Sequence, residues 1–504
     1  AGGTGRMAPR GVWARTGGRW ALSDPVRGTS GRPTAPALRV PCRNVKPARF
    51  FLGFFVVPDF DFPLLGFNIC YNKPHALVDS GLGEWNALSL IVMKFGGSSV
   101  GTIERMRLVA ERIAEARRQG HRLVVVVSAM GDTTDDLIDK AKELNDAPPA
   151  REMDMLLTTG EQVSVALLSM ALHKIGEDAV SLTGWQAGIR TDGTHGKARI
   201  LDITPQRIID ELGKGRIVVV AGFQGWTETG EITTLGRGGS DTTAVALAAA
   251  IKADLCEIYT DVDGVYSTDP RVVRNARKLP VITYDEMLEL AHLGAAVLHP
   301  RAVEYAKQYN VKLVVRSSFT RNEGTIVQEA AEMEQGIVVR GIAYDKNVAR
   351  ISVSGVDDVP GVLAKVFGAL AADNIDVDMI VQSGVTDGKA DFSFTVAGSE
   401  RPRAMKVIEG IRDVVPYREA SYEEGLVKVS IVGAGMVSNP GVAAKMFATI
   451  AAQGVNIKMV STSEIKVSCV IDNEKLHDVV RALHTAYGLD TAETAFVGGP
   501  AERR

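Results

Sequence analysis

Residues 91–102 read IVMKFGGSSVGT, an apolar run that ends at Lys94 and Phe95 and passes into a glycine-rich turn. The apolar run predicts a buried strand, and the turn would leave several backbone N–H groups unpaired at the end of that strand. Together with the ammonium group of Lys94, these donors would suit a phosphorylated ligand. A tight turn that binds nothing is the alternative. The spacing does not match GxxxxGK[ST], which excludes the phosphate loop of the common NTPases.

Four later runs are rich in β-branched residues and show no polar alternation: RLVVVVSAM (122–130), RIVVVAGF (216–223), LCEIYTDV (255–262) and VKLVVRSS (311–318). Such runs suit the interior of a mainly parallel sheet that helices cover on both faces. We therefore predict one α/β domain at residues 93–330.

The chain repeats itself beyond residue 340. Residues 349–383 resemble residues 427–463, at an offset of 80 from Pro360 onward, with nine identities in the twenty positions counted from Pro360 and Pro440. Each copy predicts a strand, a Pro-Gly turn, an amphipathic helix, two further strands and a second helix. Each copy is also too short to form a stable hydrophobic core by itself. We expect a linker at 331–345 and two α+β modules, at 346–422 and 423–504, that pack on each other.

Residues 1–92 do not conform to this pattern. The first fifty residues carry nine arginines against one acid, Asp24, and show little periodicity. An arginine-rich leader resembles a transit peptide, but the aromatic stretch FFLGFFVVPDFDFPLLGF that follows is unlike one. A translated upstream region with Met93 as the natural start is one interpretation. A targeting segment, or an addition made for expression, is the other.

The composition excludes several classes of partner. The net charge of −3 and the pI near 6.3 provide no basic surface for nucleic acid or an anionic membrane. The longest apolar runs, such as FLGFFVV, fall short of the roughly 20 residues of a membrane-spanning helix. Four cysteines without a CxxC pair read as buried thiols in a reducing compartment. We expect a cytoplasmic protein with no nucleic-acid or membrane partner.

A second glycine cluster, TTLGRGGSDTTAVALAAAIKA (233–253), precedes an alanine-rich helix. A guanidinium group such as that of Arg237 can bind a carboxylate in bidentate fashion. A mobile loop with a helix cap at Ser240 or Asp241 is the alternative. Between the two clusters, TTGEQVSVALLSMAL places Glu161 at the predicted start of an apolar helix, where the helix dipole alone could explain an acid.

Two further motifs invite interpretations that their spacing rules out. YTDVDGVYSTDPR (259–271) offers three aspartates, but its glycine and its twelfth residue do not fit the EF-hand pattern, so we reject calcium. A loop that borders a nucleotide fits better, since ligands gather at the carboxyl ends of strands. VGAGM (432–436) begins like a dinucleotide fingerprint but lacks the third glycine.

The motifs KFGGSSV, VVVVSAMGDTT, TTGEQ, LGRGGSDTTA, YTDVDGVYSTDPR, LHPRAV and STSEIKVS occur in this order. By these motifs, the chain from Met93 to about Gly499 resembles the aspartate kinases, the ATP:L-aspartate 4-phosphotransferases of the amino-acid kinase family. The resemblance implies a three-layer α/β sandwich with a mainly parallel central sheet. Two ferredoxin-like α+β ACT modules would follow it.

The resemblance also implies a set of site residues. Lys94 and Asp241 would be catalytic, with the Asp241 carboxylate orienting the lysine. The ATP site would comprise Lys94, Gly96, Gly97, Ser98, Ser128, Thr260, Asp261, Tyr266 and Arg271. L-Aspartate would bind through Glu161 at its α-amino group and Arg237 at its α-carboxylate, beside Gly238, Gly239 and Ser240. ATP would carry Mg²⁺, and no residue of the protein is expected to bind a metal.

For the ACT modules, the resemblance implies regulation by end-product amino acids. Candidate effector residues are Asp358, Gln382, Ser438, Asn439 and Ser463. We expect lysine and threonine to inhibit together, although either alone is possible within the family, and a pair that only dimerises is the alternative. A homo-oligomer or an α/β assembly through the ACT modules is expected, and Met333 is a candidate internal start for a separate regulatory subunit.

Two rival functions remain open at this point. A related kinase on the same scaffold would phosphorylate acetylglutamate, glutamate, carbamate or a nucleotide. Glu161 together with Arg237 favours a free amino acid, because an N-acylated substrate has no ammonium group for the glutamate. A non-catalytic amino-acid sensor would be expected to lack Lys94 or Asp241, and both are present.

Overall fold

A computed structural model describes residues 89–294, 297–329, 338–436 and 439–491. The described residues between 89 and 329 form fourteen strands and seven α-helices. The strands are β1 (Leu90–Phe95), β2 (Arg122–Val127), β3 (Ala179–Leu182), β4 (Ile189–Thr191), β5 (Ile200–Ile203), β6 (Ile217–Ala221), β7 (Gln224–Trp226), β8 (Ile232–Thr234), β9 (Leu255–Thr260), β10 (Val265–Tyr266), β11 (Lys278–Leu279), β12 (Val281–Thr283), β13 (Leu313–Ser317) and β14 (Thr325–Gln328). The helices are α1 (Ile103–Arg118), α2 (Thr133–Leu144), α3 (Ala150–Lys174), α4 (Gln206–Gly213), α5 (Gly239–Ala250), α6 (Tyr284–His292) and α7 (Pro300–Tyr309).

An eight-stranded sheet in the order β12-β14-β13-β9-β1-β2-β6-β3 forms the centre of this part. The run from β13 to β3 is parallel, and β14 pairs antiparallel with β13. The four β-branched runs became the inner strands β2, β6, β9 and β13, and all but the ends of these strands are buried. Helices α1 and α3 pack on one face, and α4 to α7 pack on the other. The predicted α/β sandwich is confirmed.

Strand β1 begins before Met93. Leu90 is already paired with Arg122, and its backbone N–H donates to a carboxylate oxygen of Asp254 at 2.7 Å. Ile91 and Val92 are buried in the strand. The α/β domain therefore begins before its predicted boundary at residue 93.

The second part of the chain forms a six-stranded antiparallel sheet in the order β16-β17-β15-β18-β20-β19. Its strands are β15 (Gly341–Asp357), β16 (Val377–Gln382), β17 (Lys389–Ala397), β18 (Glu419–Val432), β19 (Met459–Thr462) and β20 (Lys466–Asp472). Its helices are α8 (Val362–Ala372), α9 (Arg401–Gly410), α10 (Val442–Ala452) and α11 (Leu476–Ala486). The repeat is thus visible as two βαβ halves, joined at the β15–β18 ladder.

The repeat predicts two consecutive modules at 346–422 and 423–504, but a strand of the second module precedes the first. Residues 341–345 of β15 pair with residues 428–432 of β18, and Ile342 packs in the core of the second module with Val429 and Ile431. Residues 348–357 of β15 belong to the first module through β17. The end of the predicted linker is therefore a strand of the second module, and the first module is inserted into the second. Long-range pairing of this kind has no signal in the local sequence pattern.

Within the described ranges, α3 is the one helix long and apolar enough to span a membrane. Half of its most apolar window is buried, and Leu168 and Leu172 pack against the central sheet. These contacts are those of a core helix in the α/β domain. Cys256 and Cys469 are buried free thiols, and burial raises the pKa of both.

Candidate active site

The site lies at the carboxyl edge of the central sheet. Phe95 at the end of β1 pairs with Val127 at the end of β2 and with Tyr259 near the end of β9, and Val127 pairs with Ala221 of β6. Because these strands are parallel, the loops that follow them emerge side by side. The loops are the glycine turn after β1, the SAM turn after β2, the AGFQG turn after β6 and the TDVDG turn after β9. Open α/β sheets bind ligands at this edge.

Lys94 forms an ion pair with Asp241, whose carboxylate oxygen lies 2.6 Å from the Lys94 Nζ atom. Side chains alternate along a strand, so Lys94 points to the same face as Val92, which is the face that α5 covers. Asp241 lies in the first turn of α5. Both side chains keep only about a tenth of their surface exposed, 11% and 12% respectively. The structure thus brings together the two residues predicted to be catalytic, from positions 147 residues apart in the chain.

The glycine turn after β1 packs closely on the turn after β2. The N–H of Gly131 donates to the carbonyl of Gly97, and the N–H of Ser128 donates to that of Phe95. A Cβ atom at Gly97 would lie 2.9 Å from the carbonyl oxygen of Ala129, so a larger residue would separate the two turns. The predicted ATP contacts Gly96, Gly97, Ser98 and Ser128 therefore lie on two turns that contact each other. Gly96 lies beside Lys94, since its Cβ position is 3.4 Å from Nζ.

Glu161 lies in the middle of α3, because that helix begins at Ala150 after the N-cap Pro149. The helix-dipole explanation for Glu161, which placed it at a helix start, is therefore wrong. The residue is 3% exposed, and one carboxylate oxygen accepts a hydrogen bond of 3.1 Å from the N–H of Ala129. The other oxygen has no partner among the described residues. Burial raises the pKa of Glu161 to about 7, and a cationic group bound at the unpartnered oxygen would stabilise the ionised form.

The predicted substrate loop packs against three other segments. Gly238 is the N-cap of α5 and has φ +66°, and a Cβ atom there would lie 2.1 Å from the ring of His299. A Cβ atom at Gly222 would lie 2.7 Å from the hydroxyl oxygen of Ser240. Arg237 is exposed and has no hydrogen-bond or ion-pair partner within the described ranges. Its guanidinium group is free to bind a carboxylate, and the interpretation of Ser240 or Asp241 as the cap is wrong, because both lie inside α5.

Phe223 and His299 pack against the predicted substrate loop and are not among the predicted site residues. Phe223 has φ +69°, a strained value for a bulky residue, and its carbonyl accepts from the N–H of Leu235. A Cβ atom at Gly239 would lie 2.9 Å from the Phe223 ring. Backbone strain at a ligand edge is a structural indication of function. Burial lowers the pKa of His299 and so favours the neutral form of its ring.

The predicted nucleotide border follows β9. The Thr260 hydroxyl donates to the Asp261 carboxylate at 3.0 Å, beside the glycine turn, whose Gly96 N–H donates to the Tyr259 carbonyl. Tyr266 instead donates to Asp263. Arg271 is exposed and forms a two-pronged ion pair with Asp269. Thr260 and Asp261 therefore lie beside the glycine turn. The side chains of Tyr266 and Arg271 instead bind aspartates of their own loop.

Comparisons with known proteins agree with this geometry. The model of the amino acid kinase family matches residues 89–317, and two ACT domain models match residues 349–413 and 429–487. An aspartokinase of Bacillus sp. (strain MGA3) is 56% identical over 402 residues, which are 80% of this chain and 98% of the relative. The chain belongs to the aspartokinase family. Aspartokinase 2 of Bacillus subtilis (strain 168) is a second such relative, 55% identical over 81% of this chain and 100% of its own.

Solved aspartokinase structures share the fold. Aspartokinase III of E. coli, in complex with aspartate and ADP (R-state), has a TM-score of 0.68 and 26% identity over 79% of this chain and 99% of its own. The same enzyme in complex with lysine and aspartate (T-state) has a TM-score of 0.62 and 27% identity over 79% of this chain and 99% of its own. Two structures of one relative, in different states, therefore both share this fold.

The effector residues predicted from the aspartokinase resemblance fall at opposite edges of the ACT sheet. Asp358 and Gln382 line one cavity of about 460 Å³ beside the edge strand β16, together with Val359, Pro360 and Phe392. Asn439 precedes α10, and Ser463 follows the other edge strand, β19. Ser438 lies outside the described residues. One chain therefore brings Asp358 and Gln382 together but leaves Asn439 and Ser463 at the far edge, away from the β15–β18 junction.

Proposed function

We propose that this chain transfers the γ-phosphoryl group of ATP to the side-chain carboxylate of L-aspartate, which gives 4-phospho-L-aspartate. The observation that carries the proposal is the buried Lys94–Asp241 ion pair at the sheet edge where Glu161 and Arg237 also lie. Lys94 would provide a fixed positive charge for ATP. Glu161 would accept from the ammonium group of a free amino acid, and Arg237 would bind its carboxylate.

The reaction requires little acid–base chemistry from the protein. The attacking carboxylate is already ionised at neutral pH, so the chain needs to position it and to offset the charge of the transferring group. Lys94 would stabilise that charge, and Asp241 keeps the Lys94 ammonium group at a fixed position. Gly97 keeps the glycine turn packed on the turn after β2, because a Cβ atom there would lie 2.9 Å from the Ala129 carbonyl oxygen. Mg²⁺ carried by ATP would offset further negative charge on the phosphates.

Glu161 and Arg237 would hold the two charged groups of aspartate at its α-carbon. Glu161 is buried on α3, whereas Arg237 is exposed on the loop before α5, so each would bind one group of the amino acid. An ammonium ion that reaches Glu161 would also favour the ionised form of this acid and lower its pKa. An N-acylated substrate would leave that buried carboxylate unpaired, which costs binding free energy.

A coupled ADP-release assay tests the proposal. We expect ADP release in the presence of L-aspartate, and at least a hundred-fold lower kcat/KM with N-acetylaspartate, because the acylated nitrogen cannot pair with Glu161. Comparable rates with both compounds would favour a related kinase with another carboxylate substrate. No ADP release with any amino acid would favour the non-catalytic sensor.

Regulation by lysine and threonine together is part of the proposal. The cavity at Asp358 and Gln382 is open to solvent and carries an acidic side chain and an amide, which could bind an amino acid. The E. coli relative forms a complex with lysine and aspartate, which supports lysine as one effector. Undiminished ADP release in millimolar lysine plus threonine would contradict this part.

The exposed edges of the ACT sheet support assembly through these modules. Ile380 and Val381 on β16 are 49% and 41% exposed, and Val460 on β19 is 37% exposed. Unpaired edge strands with apolar side chains favour pairing with another chain. We propose that the chain forms a homo-oligomer through these edges, or an α/β assembly if Met333 starts a separate subunit. We also propose that it acts in the cytoplasm, without nucleic-acid or membrane partners. Sedimentation of the full chain measures the oligomer.

A further inference from the structure

Asp154 is a buried carboxylate that the proposed reaction does not use. It lies on α3, two turns before Glu161, and is 1% exposed. The Thr234 hydroxyl donates to it at 2.6 Å, the His195 Nδ1 at 2.7 Å and the Gly196 N–H at 3.1 Å. These donors come from two segments that lie 41 and 80 residues beyond it in the chain. A buried carboxylate with several donors is well stabilised, and it fixes the groups that bind it.

The segments that Asp154 joins lead directly to the substrate loop. Thr234 ends β8, and Arg237 follows three residues later. The Ala198 N–H donates to the Thr234 carbonyl at 2.9 Å. Gly236 has φ +78°, and a Cβ atom there would lie 3.0 Å from the Gly196 carbonyl oxygen. The backbone that carries Arg237 thus rests on the turn that His195 and Asp154 hold.

We propose that Asp154 and His195 are positioning residues for the guanidinium group of Arg237, and hence for the α-carboxylate of aspartate. This inference rests on the proposed function. Helix α3 would then control both charged ends of the amino acid, through Glu161 directly and through Asp154 by way of the loop. Seven residues of α-helix separate the two carboxylates along the axis by roughly 10 Å. A rigid helix between them would keep the ammonium site and the carboxylate site in register.

A merely structural role would give a different pattern of defects. General destabilisation would lower the melting temperature and change the KM values for ATP and for aspartate to a similar extent. Loss of positioning would act on aspartate, because the glycine turns that meet ATP lie on other loops, after β1 and β2. The KM values for the two substrates therefore separate the two roles.

The central test is His195→Ala in the full chain, since His195 keeps part of its side chain exposed and its removal leaves Asp154 with two other donors. His195→Asn is the conservative rescue, because its amide nitrogen can occupy the place of Nδ1. Thr234→Val and Thr234→Ser form a second pair that removes or retains a hydroxyl donor. His173→Ala, on the exposed side of the same helix, is the matched control.

We expect His195→Ala and Thr234→Val each to raise the aspartate KM about ten-fold, as for the loss of one hydrogen bond to a charged group, with less than a two-fold change in the ATP KM. We expect an aspartate KM within about two-fold of the unmodified chain for His195→Asn, Thr234→Ser and His173→Ala. An equal rise in both KM values, or an unchanged aspartate KM in an active His195→Ala protein, would overturn the inference. Absence of aspartate-dependent ADP release in the unmodified chain would instead refute the proposed function.

Discussion

The protonation of Glu161 provides the sharpest prediction for aspartate binding. A pKa of about 7 in the free protein places the ionisation of this acid near neutral pH. An ammonium group binds the ionised form, so kcat/KM for aspartate should follow the ionised fraction of the free enzyme. For one group with this pKa, that fraction rises about ten-fold between pH 6 and pH 8. Saturation with aspartate should remove most of this dependence from kcat.

Replacement of Glu161 by glutamine tests the same reasoning through stability. The rise from 4.5 to about 7 corresponds to about 3 kcal/mol by which burial disfavours the ionised form. Because the folded-state pKa is raised, this cost is absent below pH 4.5, where the acid is protonated in both states. It grows as the pH rises towards 7 and is fully present above that value. Glu161→Gln should therefore melt at a higher temperature than the unmodified chain at pH 8, with little difference at pH 4.5.

The assays are ADP release at varied aspartate and saturating ATP from pH 6 to 8, and thermal melting of both proteins at the two pH values. We expect Glu161→Gln to lose about two orders of magnitude in kcat/KM for aspartate and to lose the ten-fold pH dependence, because an amide cannot form an ion pair. A flat profile in the unmodified chain, or a Glu161→Gln protein that melts at the same temperature at pH 8, would refute the reasoning.

Three further substitutions test the other groups of the site. Lys94→Ala should lower kcat by about two or more orders of magnitude with a modest change in the aspartate KM, since it removes a charge that acts on the transferring group; near-normal turnover would contradict this role. Arg237→Lys should raise the aspartate KM about ten-fold and leave the ATP KM unchanged, because an ammonium group cannot form two parallel hydrogen bonds, and initial-rate kinetics in both substrates would show it. Gly97→Ala should raise the ATP KM, because the added Cβ atom would lie 2.9 Å from the Ala129 carbonyl oxygen, and equilibrium binding of ADP measures the effect; unchanged affinity would show that the turn yields without cost.

Much of the α/β domain could be predicted because its signals are local. The β-branched runs marked the inner strands, and the glycine turn marked the carboxyl edge of β1. The pairing of Lys94 with Asp241 followed from the family resemblance, and the structure places the two at 2.6 Å. The predicted start of α3 is too late, although Pro149 directly before Ala150 is compatible with a helix that begins there. That error made Glu161 look like a capping acid and hid its burial.

Other features depend on tertiary contacts that no local pattern reports. Residues 341–345 form a strand by pairing with residues more than eighty positions further along the chain. The local sequence does not show this pairing and therefore predicts a linker. Phe223 adopts a positive φ that its residue type disfavours. This conformation is held by the loops packed around it, so the local sequence does not predict it. Asp154 meets its donors across 41 and 80 residues, which no helical or strand period could indicate.

The most direct test of the central claim is the identity of the phosphorylated carboxylate. Hydroxylamine converts an acyl phosphate to a hydroxamate, so the full chain incubated with ATP, Mg²⁺, L-aspartate and hydroxylamine reports which group received the phosphoryl group. With Glu161 and Arg237 bound to the α-amino and α-carboxylate groups, only the side-chain carboxylate is left to face Lys94, and the 4-hydroxamate should form in step with ADP. Formation of the 1-hydroxamate, or ADP release without any hydroxamate, would contradict the account.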